Sequence, residues 1–178
     1  LCGEKILRDD GGWIYRGVVE PERHWVTEHR INGRAIMPGA GIIHLVQSTF
    51  FDFANQPAAI EITSLTFVRP LVIAESGTEI AVIFSPDSGV EVRSRHKGGD
   101  GTWQTNALGE VRPCTAPPAE DRETIPESVA ESPSRIQDGD FIRFGPRWEC
   151  DARYRTHQGL ECFRIRLPEP FHNDLQEY

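Results

Sequence analysis

The sequence lacks the features that mark metal-binding, membrane or nucleic-acid-binding proteins. It has four cysteines in 178 residues and no C-x-x-C pair, which argues against a tetrahedral zinc site and a disulfide framework. No apolar run is long enough to cross a bilayer, and the N-terminus does not resemble a signal peptide. The net charge of -8 leaves no basic surface for nucleic acid. We therefore expect a cytoplasmic protein with free thiols, no metal, and no membrane or nucleic-acid partner.

The sequence does contain a regular order of strand, helix and further strands. Residues 12–20 alternate apolar and polar side chains and predict a strand. Residues 39–54 carry apolar side chains at the spacing of a mostly buried helix, with Pro38 at its start and 55–57 at its end. Four stretches rich in β-branched residues predict later strands: 58–74, 78–85, 89–95 and 102–112. Residues 1–112 thus predict an α+β unit in which one antiparallel sheet wraps a long helix.

The composition changes after this first unit. Residues 113–139 hold five prolines and few large apolar side chains, which predicts a linker. Residues 140–178 predict strands at 149–155 and 160–167, too little for a complete second domain. The chain begins with Leu1 rather than Met, so we expect a segment of a longer protein in which 140–178 begins a second unit.

The densest local pattern is the stretch HRINGRAIMPGAG, residues 29–41. His29 is a candidate base, because histidine accepts a proton near neutral pH. Gly33 can adopt a positive φ, and Pro38 fixes the entry to the helix. At Gly39 the helix start offers backbone N–H groups that could stabilise an oxyanion. A lone histidine is more often a surface or core residue, so this spacing alone leaves a purely structural role open.

This stretch resembles the H-x-x-x-G-x-x-x-x-P signature of dehydratase domains of modular polyketide synthases. Three further segments resemble that family in the same order: His24-Trp25, LTFVRPLV at 65–72, and FGPRW at 144–148. The Pro-rich linker agrees with the family as well. The resemblance therefore covers nearly the whole chain.

The resemblance implies a double hotdog fold, in which each unit is a long helix wrapped by an antiparallel sheet. It implies removal of water from a 3-hydroxyacyl thioester to give a 2,3-enoyl thioester, with His29 as the base and Gly33, Pro38 and Gly39 in supporting positions. The substrate would arrive on the phosphopantetheine arm of an acyl carrier protein, and the domain itself would need no cofactor. Neighbouring synthase domains and a second copy in a homodimer are further expected partners.

Five side chains are expected to line the substrate pocket on the same resemblance. They are Trp25, Met37, His44, Phe144 and Pro146. His44 stands where the family often has Glu, and we favour a lining or interface role over proton transfer.

The sequence departs from the family pattern in ways that affect the site. The family's acid is an Asp in D-x-x-x-Q/H on the second unit's helix, but the residue four after Asp174 is Tyr178. We therefore expect the acid to lie beyond Tyr178 and this chain alone to be inactive. Phe144 stands where the family has Tyr, and Trp148 where it has Phe.

Three other interpretations remain open at this point. A pyran-forming cyclase or a double-bond-shifting isomerase would keep the same histidine and differ in pocket shape. A catalytically inactive hotdog could serve a structural or carrier-docking role, which the missing acid favours and the intact motif disfavours. A single-hotdog thioesterase is disfavoured, because it has no use for the second segment that contains GPRW.

Overall fold

A computed structural model describes residues 3–22, 25–54, 60–99, 101–114, 126–134 and 138–176. Contacts divide the chain into two units. Unit 1 comprises Leu1–Thr27 and Arg34–Pro117, and unit 2 comprises Glu28–Gly33 and Pro118–Tyr178. The histidine of the motif therefore groups with the C-terminal residues, although the sequence predicted it within the N-terminal unit.

The described residues form β-strands, one α-helix and short 3-10 helices. The strands in chain order are β1 (Gly3–Leu7), β2 (Trp13–Val19), β3 (His29–Ile31), β4 (Arg34–Ala35), β5 (Ile60–Phe67), β6 (Thr78–Phe84), β7 (Gly89–His96), β8 (Gln104–Pro113), β9 (Ser132–Ser134), β10 (Ile142–Phe144), β11 (Asp151–His157) and β12 (Leu160–Arg166). The α-helix, α1, spans Gly39–Ala54, and the 3-10 helices span Trp25–Glu28, Pro146–Trp148 and Glu169–Gln176. Within the part of the chain described, no helix is long and apolar enough to span a membrane.

Unit 1 is built on a six-stranded antiparallel sheet in the order β1-β2-β6-β7-β8-β5. Strand β6 is buried at nearly every position, as expected for a central strand, whereas β1 is mostly exposed at the sheet edge. Helix α1 packs its Ile42, Leu45 and Val46 into the core beside the sheet residues. The long helix against an antiparallel sheet matches the arrangement expected of a hotdog unit, while the double hotdog stays a prediction.

The start of α1 is held by its connection to the segment before β6. The N–H of Met37 donates to the carbonyl of Leu71 at 2.8 Å, and the N–H of Ile73 donates to Ala35 at 2.9 Å. The helix then begins with a bond from the Ile42 N–H to the Pro38 carbonyl. Proline directly before the first turn loses no hydrogen bond, so the sequence fixes the helix start where it was predicted.

The predicted elements of unit 1 are largely confirmed, with one strand shorter than expected. The strand expected over 58–74 is regular only in β5, Ile60–Phe67. Beyond it the N–H groups of Val68 and Arg69 donate to the carbonyl of Asn106, and Pro70 has no N–H to continue a ladder. The helix-ending signal at 55–57 lies outside the described residues.

Unit 2 contains two small groups of paired strands. Strands β12, β11 and β9 form an antiparallel sheet, and β9 lies inside the segment predicted to be a linker. Strands β11 and β12 are joined by Gln158 and Gly159, both with positive φ, as in the tight turns that hairpins favour. Strand β3 pairs antiparallel with β10, far along the chain.

Candidate active site

His29 begins β3, and the pairing of this strand with β10 places it directly opposite Phe144. Two further backbone bonds extend the pairing at its ends. The N–H of Gly145 donates to the carbonyl of Glu28 at 2.8 Å, and the N–H of Asn32 donates to Phe141 at 2.7 Å. The backbone on both sides of His29 is therefore fixed against the segment that contains GPRW.

The imidazole of His29 lies close to two aromatic rings of that segment. Its ring centroid is 5.7 Å from that of Phe144 and 5.7 Å from that of Trp148. The two aromatic rings are 5.1 Å apart, so the three rings form one cluster. All three side chains are half-buried. The sequence singled out these three residues separately, and unit 2 brings them together.

An ion pair that the sequence reasoning missed lies beside this cluster. One carboxylate oxygen of Glu28 accepts the backbone N–H of Arg147 at 2.9 Å. The other forms an ion pair with the guanidinium of Arg147. That guanidinium also lies 4.5 Å from the ring centroid of Phe171. No local pattern in the sequence indicates this ion pair, because its two residues are 119 positions apart in the chain.

Gly145 allows this close packing. A Cβ built on Gly145 would lie 2.5 Å from Cγ of Glu28. Pro146 follows it, exposed, as the first residue of the 3-10 helix Pro146–Trp148. Proline suits this position because a first-turn N–H has no partner within the helix.

The turn after β3 uses the conformational freedom predicted for glycine. Asn32 has φ 49° and Gly33 has φ 76°, the left-handed region that favours Asn and Gly. Arg30 Nη1 donates to the Gly33 carbonyl at 3.0 Å. The backbone geometry of Gly33 thus agrees with its residue type, and its role towards a substrate stays a prediction.

The predicted positioning residues at the helix start belong to unit 1. Pro38 is buried and Gly39 is exposed. A Cβ on Gly39 would lie 3.2 Å from the ring of Phe67, and a Cβ on Gly41 would lie 2.6 Å from Sδ of Met37. These glycines therefore allow close packing over the first turn of α1. Their predicted role as oxyanion donors is not tested by this geometry.

The remaining predicted side chains occupy different environments. Trp25 and Met37 are half-buried, and His44 is exposed on α1. His24 and the side chain of Asp174 lie outside the described residues.

The described titratable groups near the cluster do not suggest a metal centre. Among the described residues, no group of three or more His, Cys, Asp or Glu side chains could hold a metal ion. Cys150 lies two residues after Trp148 and donates from Sγ to the Arg147 carbonyl at 3.2 Å. Burial raises the pKa of this thiol above its usual value, which disfavours the reactive thiolate.

Comparison with protein families gives an independent view of the chain. The profile of the polyketide synthase dehydratase domain matches residues 1–96. The chain is 31% identical over 147 residues to mycoketide-CoA synthase of Mycobacterium tuberculosis. That match covers 78% of this chain but spans only 3% of the relative's length.

Solved structures with the same fold include several polyketide synthase dehydratase domains. A dehydratase domain of the curacin polyketide synthase matches with a TM-score of 0.77 and 16% identity, covering 99% of this chain and 68% of that one. The bifunctional dehydratase-cyclase domain of ambruticin biosynthesis matches with a TM-score of 0.70 and 22% identity, covering 94% and 62%. Two more matches are inactive variants of a curacin dehydratase, one with a His replaced by Phe and one with an Asp replaced by Asn.

Proposed function

The chain belongs to the polyketide synthase dehydratase domain family, and we propose that it supplies the base that removes water from a 3-hydroxyacyl thioester. The proposed base is His29. The observation that carries this proposal is the histidine's position in the family motif, within the ring cluster that it forms with Phe144 and Trp148. The resemblance inferred from the motif is confirmed at the level of the family.

The proposed reaction breaks one C–H and one C–O bond. The neutral imidazole of His29 takes the proton on the carbon next to the thioester carbonyl. The electron pair of that bond forms the C2–C3 double bond, and the 3-hydroxyl leaves as water after a second group protonates it. Separate groups must accept and donate, so a carboxylic acid is needed beside the base. The carboxylate of Glu28 is bonded through both oxygens to Arg147, which leaves it poorly placed for that role.

The environment of His29 suits a base that must be held in one orientation. Two half-buried aromatic rings confine the imidazole and limit its contact with water. Phe144 has no hydroxyl where the family has Tyr, so the proposed mechanism gives this position a packing role only. The named relatives support the roles by analogy: replacement of a His or an Asp yielded curacin dehydratase variants described as inactive.

The partners of the proposed reaction follow from the family. The chain spans 3% of the length of mycoketide-CoA synthase and 7% of a phenolphthiocerol synthesis polyketide synthase. We therefore propose that it works beside other synthase domains, in the cytoplasm, on a substrate carried by the phosphopantetheine of an acyl carrier protein. No cofactor is proposed for the domain itself, and a homodimer stays a prediction.

The experiment uses the complete gene product and a 3-hydroxyacyl pantetheine thioester. Replacing His29→Ala should lower kcat by roughly 10²- to 10⁴-fold, the usual contribution of a general base. Formation of the 2,3-enoyl product is followed by mass spectrometry. The matched control is His96→Ala, an exposed histidine at the end of β7, which should leave kcat unchanged.

The same assay separates the other interpretations. A thioester with an additional distant hydroxyl would give a pyran if the protein is a cyclase, as in the ambruticin relative. A 2,3-enoyl substrate would give its shifted isomer if the protein is an isomerase. Dehydration that persists in the His29→Ala variant, or no turnover in the parent protein, would contradict the proposal.

A further inference from the structure

We propose that Glu28 and Arg147 are positioning residues, whose ion pair holds the aromatic ring of Trp148 against the His29 imidazole, while the pairing of β3 with β10 places Phe144. As far as turnover is concerned, this inference rests on the proposed function. As a statement about the imidazole's surroundings it stands independently. Neither residue was singled out by the sequence.

The ion pair lies next to the base in both segments of the chain, because Glu28 ends the 3-10 helix before β3 and Arg147 lies in the 3-10 helix after β10. Glu28 directly precedes His29, and its carbonyl accepts the Gly145 N–H at 2.8 Å. Arg147 lies directly before Trp148 and three residues after Phe144. Its backbone N–H and its guanidinium both donate to the Glu28 carboxylate. The residues that touch the imidazole are therefore the chain neighbours of those that form the ion pair.

The ion pair is partly shielded from water, which favours one arrangement of its two side chains. The Glu28 side chain is 15% exposed and that of Arg147 is 32% exposed. Charge-assisted bonds of this kind are stronger and more directional than bonds between neutral groups. The guanidinium is also packed against Phe171 at 4.5 Å, which limits its alternative positions. The carboxylate accepts two donors of one residue, so it fixes the Arg147 backbone as well as its side chain.

Loss of the ion pair is expected to change the position of the Trp148 ring, and not to prevent the segment from folding. Strand pairing between β3 and β10 would remain without the ion pair, because its backbone bonds do not involve the carboxylate. The Glu28 carboxylate accepts the Arg147 N–H inside the 3-10 helix Pro146–Trp148, and so joins this helix to the residue directly before His29. Loss of the carboxylate should therefore let Trp148 move away from the imidazole while β3 stays paired.

The first test is spectroscopic and does not depend on turnover. Aromatic rings near 5.7 Å shift the NMR signals of imidazole protons, so His29 in the complete protein should show a ring-current shift. The signal is assigned by its loss in a His29→Asn variant, with ¹³C-labelled histidine. In Glu28→Gln and in Arg147→Gln the shift should move towards the value of an unstructured histidine.

The second test is kinetic. Both single variants should lower kcat by roughly 10- to 100-fold, because small displacements of a catalytic group are costly, while KM changes by less than about threefold. The double variant Glu28→Gln, Arg147→Gln should be no slower than the worse single variant, as residues that act through one interaction are non-additive. Arg147→Lys keeps the cation but loses the planar fork, so it should be intermediate.

The matched control is another ion pair of unit 2. Asp151 and Arg153 are joined at 3.0 Å and are both exposed. Asp151→Asn and Arg153→Gln should leave both the His29 signal and kcat unchanged. Should Glu28→Gln fail to fold, Arg147→Lys supplies both readouts.

The possible results separate this inference from the proposed function. An unchanged His29 shift in both single variants would overturn it, as would kcat values within threefold of the parent in a protein whose turnover needs His29. If turnover does not need His29, the proposed function fails, and the chemical shift alone decides whether the ion pair positions the imidazole.

Discussion

Gly145 shows how closely the two segments of the candidate site approach each other. Its φ of -87° is accessible to any residue, so glycine is not needed for backbone conformation. It is needed for space, because a Cβ would meet Cγ of Glu28 at 2.5 Å and Cβ of Glu28 at 2.6 Å. Any side chain there must displace Glu28 or separate the paired backbones.

The replacement Gly145→Ala should therefore disturb both folding and the candidate site. We expect a loss of roughly 1–3 kcal/mol in the free energy of unfolding, the usual cost of overpacking. The value is measured by urea denaturation. The control is Gly101→Ala, where a Cβ meets nothing within 4 Å. Equal stability of the two variants would contradict the steric explanation.

At the residue scale the sequence predicted His29 as a base but did not predict the side chains around it. His29 was predicted from its spacing to Gly33 and Pro38, all within ten residues. Phe144 and Trp148 were found only through the family resemblance. Glu28 and Arg147 were missed, since their interaction depends on a pairing between distant strands that no local pattern encodes.

At the scale of elements, α1 was the part best predicted. Its observed bounds, Gly39–Ala54, equal the predicted ones because apolar periodicity and Pro38 are both local signals. The strands that were not predicted are β1, β3, β4, β9 and β10. β1 is a mostly exposed edge strand, and the other four have two or three residues each, too few for an alternating pattern to be recognised.

The buried face of α1 provides a prediction at this scale. Val46 is fully buried, whereas Ile43 on the same helix is 42% exposed. Val46→Ala should lower the free energy of unfolding by about 2 kcal/mol, since it removes buried methyl groups and leaves a cavity. Ile43→Ala, which removes more atoms, should cost less than about 1 kcal/mol. Urea denaturation of both variants checks the order, and a larger loss for Ile43→Ala would contradict the observed packing of the helix.

At the scale of the whole molecule, ion pairs on the sheet of unit 1 stabilise two of the carboxylates of this acidic chain. A hydrogen bond from Arg95 lowers the pKa of Glu79, and one from Arg93 lowers the pKa of Glu91. A carboxyl group with a lowered pKa in the folded state stabilises the protein above its unfolded pKa of about 4.3. This contribution is lost as the pH falls through the lower folded value.

Replacing Glu79→Gln should therefore destabilise the protein at neutral pH but not in acid. We expect a loss of roughly 0.5–1 kcal/mol at pH 7, typical of a pair near the surface. The difference from the parent protein should shrink as the pH falls below about 4. Urea denaturation at several pH values measures it, with the exposed Glu75→Gln as the control. A difference that is the same at pH 3 and pH 7 would show that charge is not its cause.

The pairing of β3 with β10 also has a consequence for synthesis on the ribosome. Glu28 and Arg147 are separated by 119 residues, and the chain between them includes the helix and the central strands of unit 1. At roughly 5–20 residues per second, the His29 segment waits about 6–24 s for its partner to be translated. Strands β6, β7 and β8 of unit 1 are joined by short connections and can pair during that interval, whereas the pairing around His29 closes a long loop. The proposed base therefore acquires its aromatic surroundings only after the sheet of unit 1 has been translated.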